Sequence, residues 1–259
     1  MFKKILLLGI IITSLISIVR GDYKEIVTTV LNNIQTTNAN KTDLQKRQTF
    51  ENYIPKIKSL TSIDQRVKDA LITYLNAKIA ELDETLKTTT YESNITNIDK
   101  ALIEKSWLER HNTERNSLDL ASYTISPELN NTAQNRANHL AELNDATHKR
   151  LSTDGYYNYE SIKSRFSDLG VTFPKEQNGV ANFSENLAYQ YLSCKKDDCT
   201  TEVLAALKKC YAFFMSEKSY KGPHYRAVIS PYFTQMGYGV SKVGTKIFIV
   251  THYSVDLLQ

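Results

Sequence analysis

The chain has 259 residues, a formal net charge of +4 and three cysteines. Three of its basic residues, Lys3, Lys4 and Arg20, lie before position 22, and the remaining segment carries 29 basic against 28 acidic residues. A nucleic-acid-binding protein normally carries a basic stripe or patch. The near-neutral balance therefore argues against nucleic acid as a partner.

The first 21 residues have the features of an export signal. Lys3 and Lys4 precede a mostly apolar run from Ile5 to Val19. That run is shorter than the roughly 20 apolar residues of a membrane-spanning helix and matches the apolar region of a secretory signal. Residues 1–21 are therefore interpreted as a cleaved signal peptide or an uncleaved N-terminal anchor. Either one predicts that the protein is secreted or associated with the cell envelope.

Residues 22–97 are predicted to be helical. Apolar residues recur at steps of three and four from Ile63 to Leu86, which predicts a long amphipathic helix with Ser62 as its N-cap. Shorter helical patterns cover Tyr23–Ile34 and Leu44–Leu60. We expect a hairpin or small bundle whose apolar face forms a core, although this face could instead serve as a docking surface. The polar, threonine-rich stretch Lys87–Asn97 is predicted to be an exposed linker.

Residues 98–259 combine helical patterns with β-strand patterns. Helices are predicted from Ile98 to Arg115, from Pro127 with Ser126 as N-cap, from Tyr159 to Leu169, and from Thr200 to Met215 with Phe213 facing a core. Alternation from Gln235 to Val240 and the β-rich run Lys246–Tyr253 flank a turn at Val243–Thr245 and predict a hairpin. Helices followed by antiparallel strands indicate an α+β layered domain.

The cysteines predict one local disulfide. In an exported chain, Cys194 and Cys199 flank a short polar loop that a disulfide bond can close. Cys210 lies on a predicted helix, where burial as a small apolar side chain is the simplest interpretation. Pairing of Cys210 with either of the other two is the alternative.

Three polar residues stand in short motifs of their own: Ala-Thr-His148-Lys-Arg, Ser-Glu185-Asn-Leu-Ala and Gly-Pro-His224-Tyr-Arg. Two imidazoles and one carboxylate are typical of a divalent-metal site or of acid–base chemistry. The other histidines rank lower. We expect His111 to have a structural role, His139 to face solvent from a helix, and His252 to lie in the last strand.

Four segments of the chain carry short motifs: His111-Asn-Thr-Glu-Arg115, Leu129-Asn-Asn-Thr-Ala133-Gln134-Asn-Arg-Ala137, Ser184-Glu185-Asn-Leu-Ala188 and Phe233-Thr-Gln-Met-Gly237-Tyr-Gly239-Val240. Together they resemble the CAP superfamily, which includes cysteine-rich secretory proteins, antigen 5, plant pathogenesis-related proteins and bacterial SCP-like extracellular domains. Trp107–Arg115 is similar to the family's HNxxR helix, and Leu129–Ala137 to its LxxxAQxxA helix. Ser184–Ala188 is similar to its GENLA segment, with Ser in place of Gly. The residues from His224 to Val240 resemble the segment that ends in xGxG. The resemblance spans about residues 106–253.

The resemblance implies a CAP-type α-β-α sandwich with a small antiparallel sheet, preceded here by the helical hairpin or bundle. It also implies a central cleft lined by two histidines and two glutamates, which match His148, Glu185, Glu217 and His224. Glu217 enters this set because Phe214-Met-Ser-Glu217 is similar to the family's W-Y-x-E, with Phe in place of Trp.

The four cleft residues suggest two chemistries. His148 and His224 could hold zinc or another divalent metal weakly, with the carboxylates orienting the imidazoles. Glu185 or Glu217 could also activate a water molecule. In the alternative, the four residues pair with one another and organise the cleft without taking part in chemistry.

Three functional classes follow from these observations. We favour a secreted or surface-displayed module that binds a lipid, a glycan or a peptide in the cleft. A water-activating hydrolase and a structural surface protein are the alternatives. No nucleophile motif accompanies the cleft residues, and no pattern in the sequence selects the ligand or the oligomeric state.

Overall fold

The computed structural model of the protein describes residues 24–39, 41, 43–61, 63–87, 89–151, 153–176 and 179–257. The predicted signal or anchor and the predicted N-cap Ser62 lie outside these residues. The chain divides into two compact units. The first extends to Thr89 and includes Arg150–Asp154; the second comprises Thr90–Lys149 and Gly155–Gln259. No helix among the described residues combines the length and apolarity needed to span a bilayer.

The first unit contains three helices, α1 (Lys24–Asn38), α2 (Asp43–Ser59) and α3 (Gln65–Lys87). The helical prediction for this region is confirmed. Its apolar faces bury one another in a core formed by Val27, Leu31, Ile34, Phe50, Ile57, Val67, Leu71, Tyr74 and Leu75. The buried Arg47 also joins two helices, because its guanidinium contacts Glu51 on α2 and Asp83 on α3.

The second unit is an α-β-α sandwich, and the predicted α+β class is confirmed. Its elements are α4 (Lys100–Asn116), β1 (Thr124–Ile125), α5 (Pro127–Leu143), α6 (Tyr159–Asp168), β2 (Phe183–Tyr191), α7 (Thr200–Met215), a 3-10 turn (Lys218–Tyr220), α8 (Pro223–Val228), β3 (Gln235–Val243) and β4 (Lys246–Ser254). The strand order is β1-β3-β4-β2. Strands β3 and β4 form the predicted antiparallel hairpin. Strand β2, which was not predicted, pairs with β4 in antiparallel, and the two-residue β1 pairs with β3 in parallel.

Two apolar cores separate the layers of the sandwich. On one face of the sheet, α5 packs Ala133, Ala137 and Leu140 against strand residues such as Leu187 and Phe248. On the other face, α4 and α7 pack against the sheet around the fully buried Trp107 and Phe214. Ser126 caps α5, as predicted, by accepting a hydrogen bond from the Leu129 amide at 3.1 Å.

Two glycines bring α5 into backbone contact with β3. A Cβ atom at Gly237 would lie 2.2 Å from the Leu129 carbonyl carbon, and one at Gly239 would lie 2.3 Å from the Gln134 amide nitrogen. Both contacts are with main-chain atoms, which have no rotamer to change. The xGxG pattern of the sequence therefore reflects close packing between a helix and a strand.

Side-chain amides cover the outer edge of β3. Asn130 accepts a hydrogen bond from the Tyr238 amide at 2.9 Å, and Gln134 both donates to and accepts from the backbone of Val240. Asn94 bonds the backbone N–H and C=O of Lys242 in the same way. An uncovered strand edge can pair with another chain, and these three amides prevent such pairing at β3.

Three expectations from the sequence need correction. The predicted linker is exposed only in part, because Ser93 and Ile95 are buried and the Asn94 amide bonds the sheet. His139 does not face solvent; it is buried where the Arg136 guanidinium donates to its Nδ1. Phe213 is 47% exposed, whereas its neighbour Phe214 occupies the core.

The cysteine prediction is confirmed. Cys194 and Cys199 form a disulfide, and Cys210 is a buried free thiol. Burial raises the pKa of Cys210 to about 12. Because the thiolate is the reactive form of cysteine, Cys210 behaves as an apolar core residue at neutral pH.

Candidate functional site

The Glu185 carboxylate is buried and shared by two histidines. Its Oε1 accepts a hydrogen bond from His148 Nδ1 at 2.8 Å, and its Oε2 accepts one from His252 Nε2 at 3.0 Å. Glu185 and His252 are directly opposite each other in the pairing of β2 with β4, so both side chains lie on the same face of the sheet. The Glu185 side chain has no exposed surface.

Helix α5 supports this group from the layer above the sheet. Arg136 Nε lies 3.8 Å from Glu185 Oε2 and compensates its charge. The same guanidinium donates hydrogen bonds to His139 Nδ1 and to the carbonyls of Thr147 and Lys149, just before and after His148. Arg136 therefore holds the loop that presents His148 to the carboxylate.

Glu217 and His224 form a second histidine–carboxylate pair. Glu217 Oε1 accepts from His224 Nδ1 at 2.7 Å, and Oε2 accepts from the backbone amides of His224 at 2.7 Å and Tyr225 at 3.4 Å. Burial alone would raise the pKa of Glu217, but the hydrogen bonds from His224 and Tyr225 outweigh it and lower the pKa below its ordinary value. Glu217 thus stays ionised and caps the start of α8.

The Gly-Pro-His motif has a steric explanation at this pair. A Cβ atom at Gly222 would lie 2.5 Å from Glu217 Oε2, so any larger residue would displace the carboxylate. Pro223 is the first residue of α8 and has no N–H that needs an acceptor. The Glu217 carboxylate therefore accepts hydrogen bonds from the amides of the next two residues, His224 and Tyr225.

The His224 ring is oriented by aromatic stacking as well as by Glu217. It stacks on Phe214, with ring centroids 5.2 Å apart and an interplanar angle of 9°, and its centroid lies 5.0 Å from that of Phe213. Its Nδ1 is bonded to Glu217, and its Nε2 has no hydrogen-bond partner among the described residues.

A buried polar network fixes the backbone beneath His224. Asn186 donates to the carbonyl of His224 at 2.9 Å and to the Tyr253 hydroxyl at 3.2 Å. His111 Nε2 lies 2.9 Å from that hydroxyl, and His111 Nδ1 lies 2.9 Å from the Trp107 carbonyl. The carbonyl requires a donor, so His111 carries its proton on Nδ1 and accepts from Tyr253.

The last residue of the HNxxR segment is also structural. Arg115 is buried and donates to the carbonyls of Ala121, Val228, Ser230 and Phe233. Its guanidinium lies 3.8 Å from the centroid of the Tyr123 ring. Arg115 therefore satisfies carbonyl groups that accept no hydrogen bond within a helix or strand. It also joins α4 to the segment that leads into β3.

A pocket of about 440 Å³ lies beside His224. Its lining is mostly aromatic and aliphatic and carries no formal charge; it consists of Ala146, Tyr156, Leu187, Ala188, Tyr189, Gln190, Tyr191, Phe213 and His224. The Tyr156 ring also contacts His148, with centroids 5.5 Å apart. Tyr156 thus contacts the first pair, at His148, and also lines the pocket beside the second pair, at His224.

The four residues predicted from the sequence form two pairs, His148 with Glu185 and His224 with Glu217. Their function as a cleft remains a prediction. His252 was ranked low in the sequence analysis, yet it completes the first pair. Its place opposite Glu185 follows from the strand register, and Phe183–Tyr191 lacks the regular alternation that predicts a strand. The aromatic residues of that strand, Tyr189 and Tyr191, were missed for the same reason.

The donor set limits what metal the site can hold. Within the described ranges, no group of three or more His, Cys, Asp or Glu side chains is arranged as a metal site. Both carboxylates already accept hydrogen bonds from imidazole Nδ1 atoms. Two imidazole donors are fewer than the four ligands of a closed structural zinc site.

The family model of the cysteine-rich secretory protein family, CAP, matches residues 108–255. The chain belongs to the CAP family. The matched range begins within α4 and covers all the later helices, the four strands and all four predicted cleft residues. The unit that begins at Thr90 is therefore referred to below as the CAP domain.

Solved structures similar to the chain are distant in sequence. An outer surface protein from Borrelia burgdorferi has 17% identity and a TM-score of 0.42, covering 61% of this chain and 95% of that one. The CAP domain of Enterococcal PrgA has 15% identity and a TM-score of 0.42, covering 76% and 80%. An SCP-domain extracellular protein from Bacillus anthracis has 16% identity and a TM-score of 0.39, covering 60% and 41%. No curated protein matches the chain.

Titration of His111 should make the stability of the CAP domain pH-dependent. Burial, assisted by the nearby charge of Arg115, lowers the pKa of His111 to about 4, although the Trp107 hydrogen bond opposes this effect. The unfolded chain takes up this proton near pH 6.5. The stabilisation is therefore complete above pH 6.5 and is lost as pH falls towards 4, with a total of about 3 kcal/mol.

Urea denaturation of the natural chain and of His111→Gln, measured at several pH values, checks this expectation. Carboxylates titrate in both proteins, so the difference between their curves isolates His111. The difference should change by about 3 kcal/mol between pH 6.5 and pH 4. Parallel stability curves over this range would show that the His111 proton is not excluded from the folded state.

Proposed function

We propose that the CAP domain is an extracytoplasmic binding module whose ligand occupies the pocket beside His224. The observation that carries this proposal is the aromatic wall of the pocket. Tyr156, Tyr189, Tyr191 and Phe213 are 63%, 44%, 66% and 47% exposed, although large aromatic side chains gain most by burial. Ligand sites typically combine such apolar walls with a few polar groups, in volumes of about 300–1,000 Å³.

His224 supplies the fixed polar group of the pocket. Glu217 holds its Nδ1 at 2.7 Å, and the Phe214 ring holds its plane. A neutral imidazole that donates through Nδ1 accepts through Nε2. The ligand therefore meets an oriented hydrogen-bond acceptor against an aromatic surface, which favours a lipid, glycan or peptide that carries a donor group.

The carboxylates give less support to a hydrolase. A general base must reach the water that it activates. The Glu185 side chain is completely buried between His148 and His252, and Glu217 already accepts three hydrogen bonds. Both carboxylates orient imidazoles, which is a positioning role. This arrangement of the carboxylates agrees better with a binding site than with a catalytic site.

The Cys194–Cys199 disulfide supports a location outside the cytoplasm, because structural disulfides persist mainly in oxidising compartments. The export signal predicted at residues 1–21 points the same way. We therefore place the pocket in the secreted or envelope-associated part of the protein, where it meets extracellular or envelope ligands.

Truncation of one aromatic side chain of the pocket wall should weaken ligand binding without unfolding the domain. We expect Phe213→Ser to weaken ligand binding by about tenfold or more, as is usual for truncation of a central aromatic contact. Tyr220→Ser is the matched control, because Tyr220 is 67% exposed and lies outside the pocket. Both proteins would be screened against lipid vesicles, a glycan array and a neutral peptide array, with thermal melts to verify folding. Equal binding by both variants would exclude the pocket as the ligand site.

A weakly held divalent ion is the second proposal for this region. Its support is that His148 and His224 each donate Nδ1 to a carboxylate. This arrangement is usual for metal-bound imidazoles, whose other nitrogen then faces the ion. Zinc bound there would supply Lewis acidity, and His148 and His224 would be the protein ligands.

Zinc titration by calorimetry tests the second proposal. His224→Phe preserves the ring that stacks on Phe214 but removes both nitrogen atoms, so zinc affinity should fall by about tenfold or more relative to the natural chain. Binding by the natural chain should also weaken as pH falls, because protons compete with the metal for imidazole. Unchanged zinc affinity in a folded His224→Phe protein would contradict this assignment.

A further inference from the structure

At one edge of the sheet in the CAP domain, some backbone groups have no hydrogen-bond partner in the ranges that the structure describes. Strand β2 is at the end of the order β1-β3-β4-β2, so β4 is its only partner strand within the described part of the chain. Each residue of an edge strand directs its backbone N–H and C=O either to the neighbouring strand or away from the sheet, in alternation. The outward groups of β2 therefore need a partner from elsewhere.

Two hydrogen bonds identify which β2 residues face outward. The Leu192 amide donates to the Thr245 carbonyl at 2.7 Å, and the Val255 amide donates to the Asn182 carbonyl at 3.1 Å. Both bonds place even-numbered residues on the β4 side, and the register between them is continuous. Leu187, Tyr189 and Tyr191 consequently direct their N–H and C=O groups away from the sheet.

No described residue forms a hydrogen bond with these outward groups of Leu187, Tyr189 and Tyr191. The opposite edge differs, because there Asn94, Asn130 and Gln134 cover the backbone of β3. Among the described residues, the β3 edge of the sheet is thus covered, whereas the β2 edge is uncovered at Tyr189 and Tyr191.

The pocket runs along the β2 edge. Five consecutive residues, Leu187 to Tyr191, line it. Successive side chains of a strand point to opposite faces, so a cavity lined by all five follows the edge of the strand rather than one face. Tyr156 lines the same cavity, as does Phe213 on α7. An added strand would therefore pair with the backbone of β2 and also contact the side chains of Tyr156 and Phe213.

We infer that the pocket binds an extended, uncharged peptide segment that pairs with β2 as an additional strand; this inference rests on the proposed binding function. Leu187 is buried, whereas Tyr189 and Tyr191 are 44% and 66% exposed. These two outward residues offer two donors and two acceptors at a two-residue spacing, which a polypeptide backbone matches. A lipid chain offers no such groups. None of the nine lining residues is Asp, Glu, Lys or Arg, so a neutral segment with apolar or aromatic side chains is the complementary partner.

Backbone substitution tests this pairing on the protein side. Tyr189→Pro removes the outward N–H but no bond to β4, and proline is tolerated on an edge strand where its nitrogen faces solvent. Tyr189→Thr is the matched control, since it also removes the aromatic ring but keeps the N–H. The probe is the strongest binder from an array of synthetic nonapeptides that lack Asp, Glu, Lys and Arg. It should bind Tyr189→Pro about fivefold more weakly than Tyr189→Thr.

N-methylation of the probe tests the same pairing with the natural chain. This test remains decisive if Tyr189→Pro does not fold. One backbone amide at a time is methylated, and affinity should fall about fivefold at every second position and change little between them. Only alternate amides of an added strand face β2, so this two-residue period is the signature of pairing.

Three results would overturn the inference. In the first, the affinity does not vary with the position of N-methylation, and the peptide binds Tyr189→Pro and Tyr189→Thr equally but binds Phe213→Ser more weakly. This result would keep the pocket as the binding site and exclude strand addition. No array peptide binding above the Phe213→Ser background would exclude a peptide, and the lipid and glycan panels would then decide the proposed function. A dimer of the natural chain that dissociates in Tyr189→Pro, without peptide binding, would identify a second copy as the occupant.

Discussion

The centre of the CAP domain depends on the hydrogen bonds that the buried Glu185 carboxylate accepts. This carboxylate connects β2 to β4 through His252 and to the loop after α5 through His148, with Arg136 at 3.8 Å. Removing one partner from a buried ion pair typically costs about 3–5 kcal/mol, because a charge is left without compensation. The loop, both strands and α5 are therefore coupled through one side chain.

This structural role of the carboxylates shapes what the domain can do. Glu217 repeats the arrangement at α8, where it holds the His224 ring and the first backbone amides. Both acids are thus occupied in positioning imidazoles. The groups that remain are an oriented imidazole, an aromatic wall and the β2 edge at Tyr189 and Tyr191, and the proposed binding function rests on these three.

Local patterns predicted most of the fold. The helices were recognisable because apolar residues recur at helical spacing and because Ser126-Pro127 marks a helix start, as its cap confirms. Strand β2 was missed because Glu185 to Ala188 are all buried, so the alternation of an edge strand is absent. The contribution of His252 depends on its register with Glu185, 67 residues away in the sequence, which no local pattern contains. The same holds for Asn94 in the predicted linker, whose partner is Lys242.

The most direct test of this account is a long-range ¹H–¹⁵N correlation spectrum of the histidine rings at neutral pH. If the carboxylates hold the imidazoles as described, His148 and His224 carry a proton on Nδ1, and His252 carries one on Nε2. A His224 ring protonated only on Nε2 would contradict the account, because Glu217 would then have no ring proton to accept. A His148 ring protonated only on Nε2 would contradict it at Glu185 in the same way.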